Sequence, residues 1–374
     1  MPQASSQALA RGVGGTSGHF MEDAGAALDA LGVAPGPISS RLASFFGTDA
    51  TSAYNLFTQW GVPNVWLNFL AETLPAGLTS TRASVGTRTN RLGALETLGN
   101  NAARLDYHPL TLQPRGLLIE GPRTNLYLNS GIIGTPLVGQ DVVVTAVPTT
   151  LSFYGSGTVT LSGAATATVV GAGPYPARTV LTFTPSAGTL TTAVSGDVKF
   201  AQLEVGSFES SFIPTGATPV ARAVDNVQLT PLTAAFSQSV GTLSGIFEYV
   251  SGMATTDSIA LMLRNGVGTS LCGFRRSSIS TVNLQARFPT SFDVVMTGTL
   301  TSGTLDMTGS YGTSTIAAYN GGKAVTVPGS TPPGDFDRLC IGSSNGSSPI
   351  FGWVKQAAYY KFATDATTVQ VTVS

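Results

Sequence analysis

The chain is poor in charge, cysteine and histidine, and each shortage excludes a class of protein. Charged residues are 10% of 374, and the formal net charge of -1 predicts no basic surface for nucleic acid. Two cysteines, Cys272 and Cys340, are too few for a disulfide framework, so we expect two buried, reduced thiols. The two histidines, His19 and His108, have no cysteine or acidic cluster near them, so neither a metal nor a cofactor is predicted.

Long apolar runs and nucleotide or catalytic motifs are also missing. No run approaches the roughly 20 apolar residues of a membrane helix, so no membrane insertion is predicted. The N-terminus, MPQASSQALARGVGG, lacks the pattern of a secretory signal, so synthesis in the cytosol is expected. No Ser/His/Asp order or P-loop is found. Hydrophobic residues nevertheless reach 42%, enough for two or three domains with their own cores, and such low charge suits an assembly.

The chain beyond residue 130 is a series of short segments rich in Thr and Val, separated by Gly, Pro or Ser. The first series lies at 142–147, 149–154, 157–161, 165–170, 178–184, 188–194 and 197–204. After a proline-marked joint at 215–233, a second series lies at 241–250, 258–264, 269–275, 281–288, 292–300, 314–319, 322–327, 338–341 and 351–361. Strands at such intervals predict antiparallel sandwiches.

We therefore predict a mainly β protein with tandem antiparallel β-sandwich (jelly-roll) domains after a small mixed, partly helical N-terminal region. The attachment region spans 1–75, with short helices at 21–31 and 51–59. A small β linker unit follows at 76–130, then a first sandwich at 131–232 and a jelly roll at 233–374.

The segment RGLLIEGPRTNLYLNS, at 115–130, separates the mixed part of the chain from the strand-rich part. Its apolar triplet predicts a buried strand. Glu120 is expected to form an internal ion pair with Arg115 and Arg123, and Asn125 to satisfy backbone groups at a turn. These residue types favour a structural role over a catalytic one.

This segment resembles the R-G-L-L-I-E-x-x-R-T-N-L segments of structural proteins of tailed bacteriophages and related particles. Further matches are R-A-S at 82–84 and A-R-L-D-Y at 103–107. A Q-L-E-x-G segment at 202–206 precedes S-x-I-P-T at 211–215, as in the carbohydrate-module-like sandwich of those proteins. The closing residues, RLCIGSSNGSSPIFGWVKQAAYYKFA, resemble the last strands of concanavalin-like or laminin-G-like jelly rolls.

The resemblance implies a virion structural protein, a fibre or spike subunit of a tail or head, located in the virion. Such subunits usually form homotrimers. They attach through their N-terminal region to portal, capsid, collar or tail proteins, and they bind host cell-surface polysaccharide. The alternative is a capsid decoration, collar or baseplate protein with a purely architectural role. A polysaccharide depolymerase is the third class, and we predict no enzyme activity.

Sugar binding requires aromatic faces near loops, together with amide groups that bind hydroxyls. In the last domain these candidates are Tyr311, Tyr319, Asn320, Asn345 and Trp353. The alternative for Trp353 and Tyr319 is a place in the core, because both lie on predicted strands.

A glycosidase would require a pair of carboxylates. The candidates are Glu204, Glu209, Glu248, Asp293, Asp335 and Asp337, and no spacing singles out a pair. Asp335 and Asp337 with Asn345 form either a calcium loop or ordinary polar turns.

Overall fold

The computed structural model describes residues 63–131, 137–250, 257–278, 281–287, 291–297, 304–312, 314–319, 325–328 and 334–363. Across these ranges the chain forms strands, turns and bends but no helix, so the mainly β class is confirmed. The helices predicted at 21–31 and 51–59 lie outside the described residues, as does most of the predicted attachment region.

The strands follow one another through short turns. The first group is β1 (Val65–Asn68), β2 (Leu78–Thr81), β3 (Gly86–Thr89), β4 (Leu95–Leu98), β5 (Leu105–Tyr107), β6 (Pro114–Ile119) and β7 (Arg123–Asn125). The second is β8 (Asp141–Val144), β9 (Thr149–Tyr154), β10 (Thr158–Gly163), β11 (Ala167–Val170), β12 (Thr179–Phe183), β13 (Gly188–Ser195) and β14 (Lys199–Val205).

The remaining strands belong to the C-terminal half. They are β15 (Val220–Arg222), β16 (Asn226–Leu229), β17 (Gly241–Tyr249), β18 (Ser258–Arg264), β19 (Leu271–Ser278), β20 (Thr281–Arg287), β21 (Ser291–Thr297), β22 (Thr304–Tyr311), β23 (Ser314–Tyr319), β24 (Val325–Pro328), β25 (Arg338–Ile341) and β26 (Gly352–Tyr360).

Strands β8 to β14 form the smaller sandwich. A four-stranded antiparallel sheet, β11-β10-β13-β8, faces a three-stranded sheet, β12-β9-β14. Buried and exposed residues alternate along β10 and β13, as expected for strands with one face on a core and one on solvent. The shared core consists of Tyr127, Leu137, Val144, Leu151, Phe153, Val159, Leu161, Leu190, Val198, Ala201 and Leu203.

The larger sandwich combines strands from both ends of the described chain. One sheet has the order β24-β23-β22-β17-β26-β6-β5, with β1 also beside β26, and the other has the order β2-β16-β25-β18-β19-β20-β21. Their facing sides share one core, in which the rings of Phe247 and Phe274 lie 6.3 Å apart. The predicted linker unit at 76–130 thus supplies β2, β5 and β6 to the sheets of the last domain.

Strand β6, which carries the apolar triplet of the 115–130 segment, pairs with β26 through Ile119 opposite Gly352 and Leu117 opposite Val354. Leu117, Leu118 and Ile119 are all buried, so the predicted buried strand is confirmed. Gly116 has φ +120, and a Cβ there would lie 2.5 Å from the carbonyl oxygen of Val354. Glycine therefore allows β6 to approach β26 this closely.

Two short pairings complete the architecture. β15 pairs with β7, and β3 with β4 forms a hairpin that lies against the smaller sandwich. In this hairpin the Thr87 hydroxyl donates to the Phe212 carbonyl over 2.5 Å. The Thr89 hydroxyl lies 2.8 Å from that of Tyr175. The hairpin, the smaller sandwich and β26 meet in one place, which is the candidate site.

Candidate functional site

The place where these three parts meet is a cleft of about 210 Å³, which we call the junction cleft. It is lined by Thr87, Arg88, Thr89, Leu95, Asp106, Pro109, Arg115, Leu118, Glu120, Tyr154, Tyr175, Pro176, Arg178, Glu209, Ser210, Ser211, Phe212, Val250 and Trp353. Pockets for drug-sized ligands usually have roughly 300–1,000 Å³, so this cleft suits a small group such as one sugar unit.

Trp353 is held in the cleft from two sides. Its indole Nε1–H donates to Asp106 Oδ2 over 2.8 Å, and the guanidinium of Arg115 lies 3.3 Å from its ring centroid. Arg115 is itself fixed by two hydrogen bonds to Glu248, of 3.0 and 2.5 Å. Trp353 is 8% exposed, so its ring is mostly buried, as the core alternative required. The same ring also lines the cleft, as a sugar contact would require.

The Asp106 carboxylate has both oxygens engaged. Oδ2 accepts from Trp353, and Oδ1 accepts from the backbone N–H of Thr89 over 2.6 Å. Burial raises the pKa of Asp106, while the hydrogen bonds from Trp353 and Thr89 act in the opposite direction. Asp106 therefore positions the indole and joins the hairpin to β26.

Two tyrosines of the smaller sandwich form an aromatic wall. The rings of Tyr154 and Tyr175 have centroids 5.2 Å apart and are tilted by 54°. Tyr175 is half-buried, and its hydroxyl bonds to Thr89. Tyr154 is 7% exposed, and its hydroxyl makes no hydrogen bond within the described residues. The wall thus presents two aromatic rings and one phenol without a partner among the described residues.

Arg178 stands beside this wall, with its guanidinium 5.7 Å from the ring centroid of Tyr154. Nη1 donates to the carbonyl of Ser210 over 2.7 Å, and Nη2 donates to the hydroxyl of Ser152 over 2.8 Å. Both acceptors are neutral, so these bonds fix the guanidinium without compensating its charge. Glu209, also in the lining, makes no side-chain hydrogen bond or ion pair in the described part of the chain.

Behind the cleft lies a fully buried charge cluster centred on Glu120. Its Oε2 lies 2.6 Å from Arg104 Nη1 and 2.9 Å from Arg222 Nη1. Ser211 donates its N–H to Oε1 and its hydroxyl to Oε2, over 2.7 and 2.5 Å. Burial acts to raise the pKa of Glu120, but the charges of Arg222 and Arg104 and the Ser211 hydrogen bonds lower it to about 2. Arg104 also pairs with Asp225.

The predicted ion pair of Glu120 with Arg115 and Arg123 is wrong. Arg115 pairs with Glu248, and Arg123 lies 3.6 Å from Glu204. Residues at an odd separation on an extended strand point to opposite faces, so Arg115 and Glu120 diverge.

The side chain of Asn125 satisfies backbone groups, as predicted. Its Nδ2 donates to the carbonyls of Ala201 and Ile213, over 3.1 and 2.8 Å. Its Oδ1 accepts from the backbone N–H groups of Tyr127 and Leu203.

The other predicted sugar contacts do not join the cleft. Tyr311 is fully buried, and its hydroxyl donates to the Ser237 carbonyl over 2.7 Å, so its predicted role as a sugar contact is wrong. Asn345 is exposed in a turn with φ +53, away from the cleft lining. Only the backbone of Tyr319 is described, as part of β23, and Asn320 lies outside the described residues.

The acidic residues of the candidate calcium loop make contacts within the protein. Asp335 accepts from the Asn265 amide over 2.7 Å, and Asp337 accepts from the Gly266 N–H and pairs with Arg338. In the part of the chain that the structure describes, no group of three or more His, Cys, Asp or Glu could hold a metal ion.

Both thiols are free and fully buried, as expected. Burial raises the pKa of Cys272 to about 12. Among the described residues there is no helix with the length and apolarity needed to cross a membrane.

The aromatic wall and Arg178 come from the first sandwich, where no ligand contact was predicted. The signal for them is weak. Tyr175 lies in a Gly/Pro-rich loop, GAGPYPAR at 171–178, which is typical of a surface turn. Nothing local indicates that this loop meets Trp353, since the two belong to different sandwiches.

No protein-family model matches the chain, and no curated protein matches it in sequence. Among solved structures, the CBM40 of the Ruminococcus gnavus IT-sialidase is similar, with a TM-score of 0.33 and 11% identity over 37% of this chain and 84% of that one. That CBM40 has also been solved bound to alpha2,3 sialyllactose.

Two further similar structures are matched over smaller shares of their own chains. The NanB sialidase from Streptococcus pneumoniae has a TM-score of 0.32 and 10% identity, over 38% of this chain and 26% of that one. The binding domain of botulinum neurotoxin serotype D/C has a TM-score of 0.31 and 10% identity, over 40% of each chain. Each of these likenesses covers 40% of this chain or less.

Proposed function

We propose that this chain is a non-catalytic carbohydrate-binding protein and that the junction cleft holds the sugar. The observation that carries the proposal is the lining: Tyr154, Tyr175 and Trp353 surround a small cleft that also contains a free phenol, Glu209 and Arg178. Aromatic surfaces pack against the C–H faces of a sugar, and polar groups without protein partners bind its hydroxyls.

The state of the carboxylates favours binding over hydrolysis. A glycosidase needs two carboxyl groups free to act on the glycosidic bond. Asp106 has both oxygens engaged, and Glu120 is enclosed by two arginines and Ser211. Glu209 is then the one lining carboxylate without a partner among the described residues. It accepts a hydroxyl in this proposal, and no second carboxylate completes a catalytic pair.

A glycan array with the intact chain, followed by calorimetry on the strongest ligand, tests the proposal. We expect Tyr175→Ala to weaken binding roughly tenfold or more, because it removes an aromatic surface of the cleft. The matched control is Val180→Ala, on the exposed side of β12 and outside the lining. Equal affinity of the Tyr175 variant and the wild type would contradict this site, and released reducing ends would indicate a depolymerase.

The proposal extends to a particle, on the strength of the phage-like segments at 82–84, 103–107 and 115–130. We propose a fibre or spike subunit, homotrimeric and located in the virion, attached by its N-terminal region to portal, capsid, collar or tail proteins. In this setting the cleft would bind host cell-surface polysaccharide. The alternative is a decoration, collar or baseplate protein that binds no sugar.

Two measurements test the particle proposal. A particle reconstruction would place the chain at its attachment point, and a position with the cleft covered by other virion proteins would favour the architectural alternative. Sedimentation of the purified chain is expected to give a trimer, and a stable monomer would contradict that part.

A further inference from the structure

Arg178 is the cation of the junction cleft whose charge no acid balances. Its two terminal nitrogens donate to neutral oxygens of Ser210 and Ser152, and no carboxylate among the described residues forms an ion pair with it. A guanidinium anchored in this way keeps a fixed plane and retains further N–H groups for a ligand. Arginine is the side chain best suited to bind a carboxylate through two parallel hydrogen bonds.

The other cations of the lining are already paired. Arg88 donates to Glu96 over 2.8 Å, and Arg115 donates to Glu248, which also lies 3.1 Å from Lys355. Arg178 is therefore the one arginine of the lining that forms no ion pair among the described residues.

The buried cluster behind the cleft adds to this positive potential. Three arginines, Arg82, Arg104 and Arg222, share two carboxylates, Glu120 and Asp225, which leaves one positive charge in excess. The side chains of all five are at most 4% exposed. Buried charges are screened less than exposed ones, so the excess acts on the cleft, where the carboxylates of Asp106 and Glu209 offset part of it.

We propose that the sugar bound in the junction cleft is acidic, with a carboxylate held by the Arg178 guanidinium. This inference rests on the proposed function and names its ligand class. The free hydroxyl of Tyr154, beside Arg178, donates to the same carboxylate. Glu209 repels that group and accepts a hydroxyl hydrogen from another part of the sugar, so it orients the ligand.

The experiment compares each acidic glycan with its own carboxyl-reduced form. Polygalacturonate, hyaluronan and polysialic acid are tested, together with neutral glycans, against the intact chain by calorimetry. The bound acidic glycan is expected to lose about 10- to 100-fold in affinity when its carboxylates are reduced to alcohols, as for the loss of a charge-assisted hydrogen bond. Its binding is also expected to weaken with added salt.

Variants assign the effect to Arg178. Arg178→Gln is expected to bind native and reduced glycan equally, and Arg178→Lys to keep part of the preference. The control Arg287→Gln, on β20 and outside the lining, keeps all of it. Glu209→Gln retains an acceptor and removes a negative charge, so it is expected to bind the acidic glycan more tightly. Urea unfolding of each variant confirms that the chain is folded.

The outcomes separate this inference from the proposed function. Two results overturn the acidic ligand and leave a sugar-binding cleft. The first is binding of neutral glycans only, in a manner that depends on Tyr175. The second is a fall in affinity by the same factor for native and reduced glycan in Arg178→Gln, so that the preference for the native form persists. A lack of any glycan binding that depends on the cleft residues overturns both.

Discussion

Replacing Glu120 with glutamine removes the carboxylate on which two buried guanidinium groups converge. The substitution keeps the volume of the side chain, so no cavity forms. Arg104 then keeps its pair with Asp225, which it shares with Arg82, and Arg222 keeps only the more distant charges of Asp225 and Glu204. The side chains of Arg104, Arg222 and Asp225 are at most 4% exposed. The cost is therefore electrostatic, from positive charges that are buried and no longer balanced.

Two independent routes to the magnitude agree. Removing one partner of a buried ion pair costs roughly 3–5 kcal/mol. The pKa of Glu120 falls from 4.5 to about 2 on folding, which corresponds to ~3 kcal/mol of stabilisation at pH 7. We expect Glu120→Gln to lower the free energy of unfolding by about 3–4 kcal/mol.

Urea unfolding at pH 7, followed by intrinsic fluorescence, measures this loss. The matched control is Glu96→Gln, because Glu96 also pairs with an arginine, at 2.8 Å from Arg88, but is 38% exposed. Exposed pairs contribute about 0–1 kcal/mol, so this control should unfold almost as the wild type does. A loss of less than about 1 kcal/mol in Glu120→Gln, or a loss no larger than that of the control, would refute a stabilising role of the buried carboxylate.

Acid unfolding should show the same group. Because folding lowers the pKa of Glu120 to about 2, its carboxylate stabilises the folded state above pH 4.5, and this stabilisation is lost as the pH falls towards about 2. The free energy of unfolding of the wild type should therefore fall by ~3 kcal/mol more than that of Glu120→Gln over this pH range. Parallel curves of stability against pH would contradict this. Gly116→Ala should lower the free energy of unfolding in urea by about 2 kcal/mol, because a Cβ would lie 2.5 Å from the Val354 carbonyl oxygen. An unchanged unfolding midpoint would show that β6 can move away from β26. Tyr311→Phe should cost about 1 kcal/mol, since it removes the hydrogen bonds of the Tyr311 hydroxyl to the Ser237 carbonyl and to the Tyr359 hydroxyl, while the bonds of Tyr359 to Ser237 and Val240 remain. A neutral result would mean that these remaining bonds satisfy both groups. Cys272, fully buried and with its pKa raised to about 12, should react with a thiol reagent at pH 8 only after unfolding, and rapid labelling of the native chain would contradict the described core.

Local pattern was sufficient to predict most of the strands after residue 130, but it missed β22 (Thr304–Tyr311), and the predicted joint at 215–233 contains β15 and β16. The predicted segments at 149–154, 258–264, 314–319 and 338–341 coincide with β9, β18, β23 and β25, and most others differ by one to three residues at their ends. Thr- and Val-rich runs bounded by Gly and Pro carry this information within a few residues, because β-branched side chains favour extended backbone and turn residues interrupt it.

The candidate site was predictable only in part. Trp353 was singled out as a candidate sugar contact and does line the cleft, but its neighbours there, Asp106 and Tyr175, come from the linker unit and the other sandwich. Tyr311 has the same residue type as those cleft aromatics, yet it is enclosed in the core. Residue type and position on a strand do not distinguish these outcomes, because burial depends on which sheet covers the strand.

The sequence alone determined that this is a chain of short antiparallel strands, with buried cysteines and a buried apolar strand in the 115–130 segment, since each of these follows from nearest-neighbour chemistry. Only the tertiary structure decided that β6 lies beside β26, that Glu120 pairs with Arg104 and Arg222, and that three distant segments enclose one cleft. Strand partners and ion pairs between distant residues are selected by the closure of the whole core, because strands with similar patterns compete for each place in a sheet.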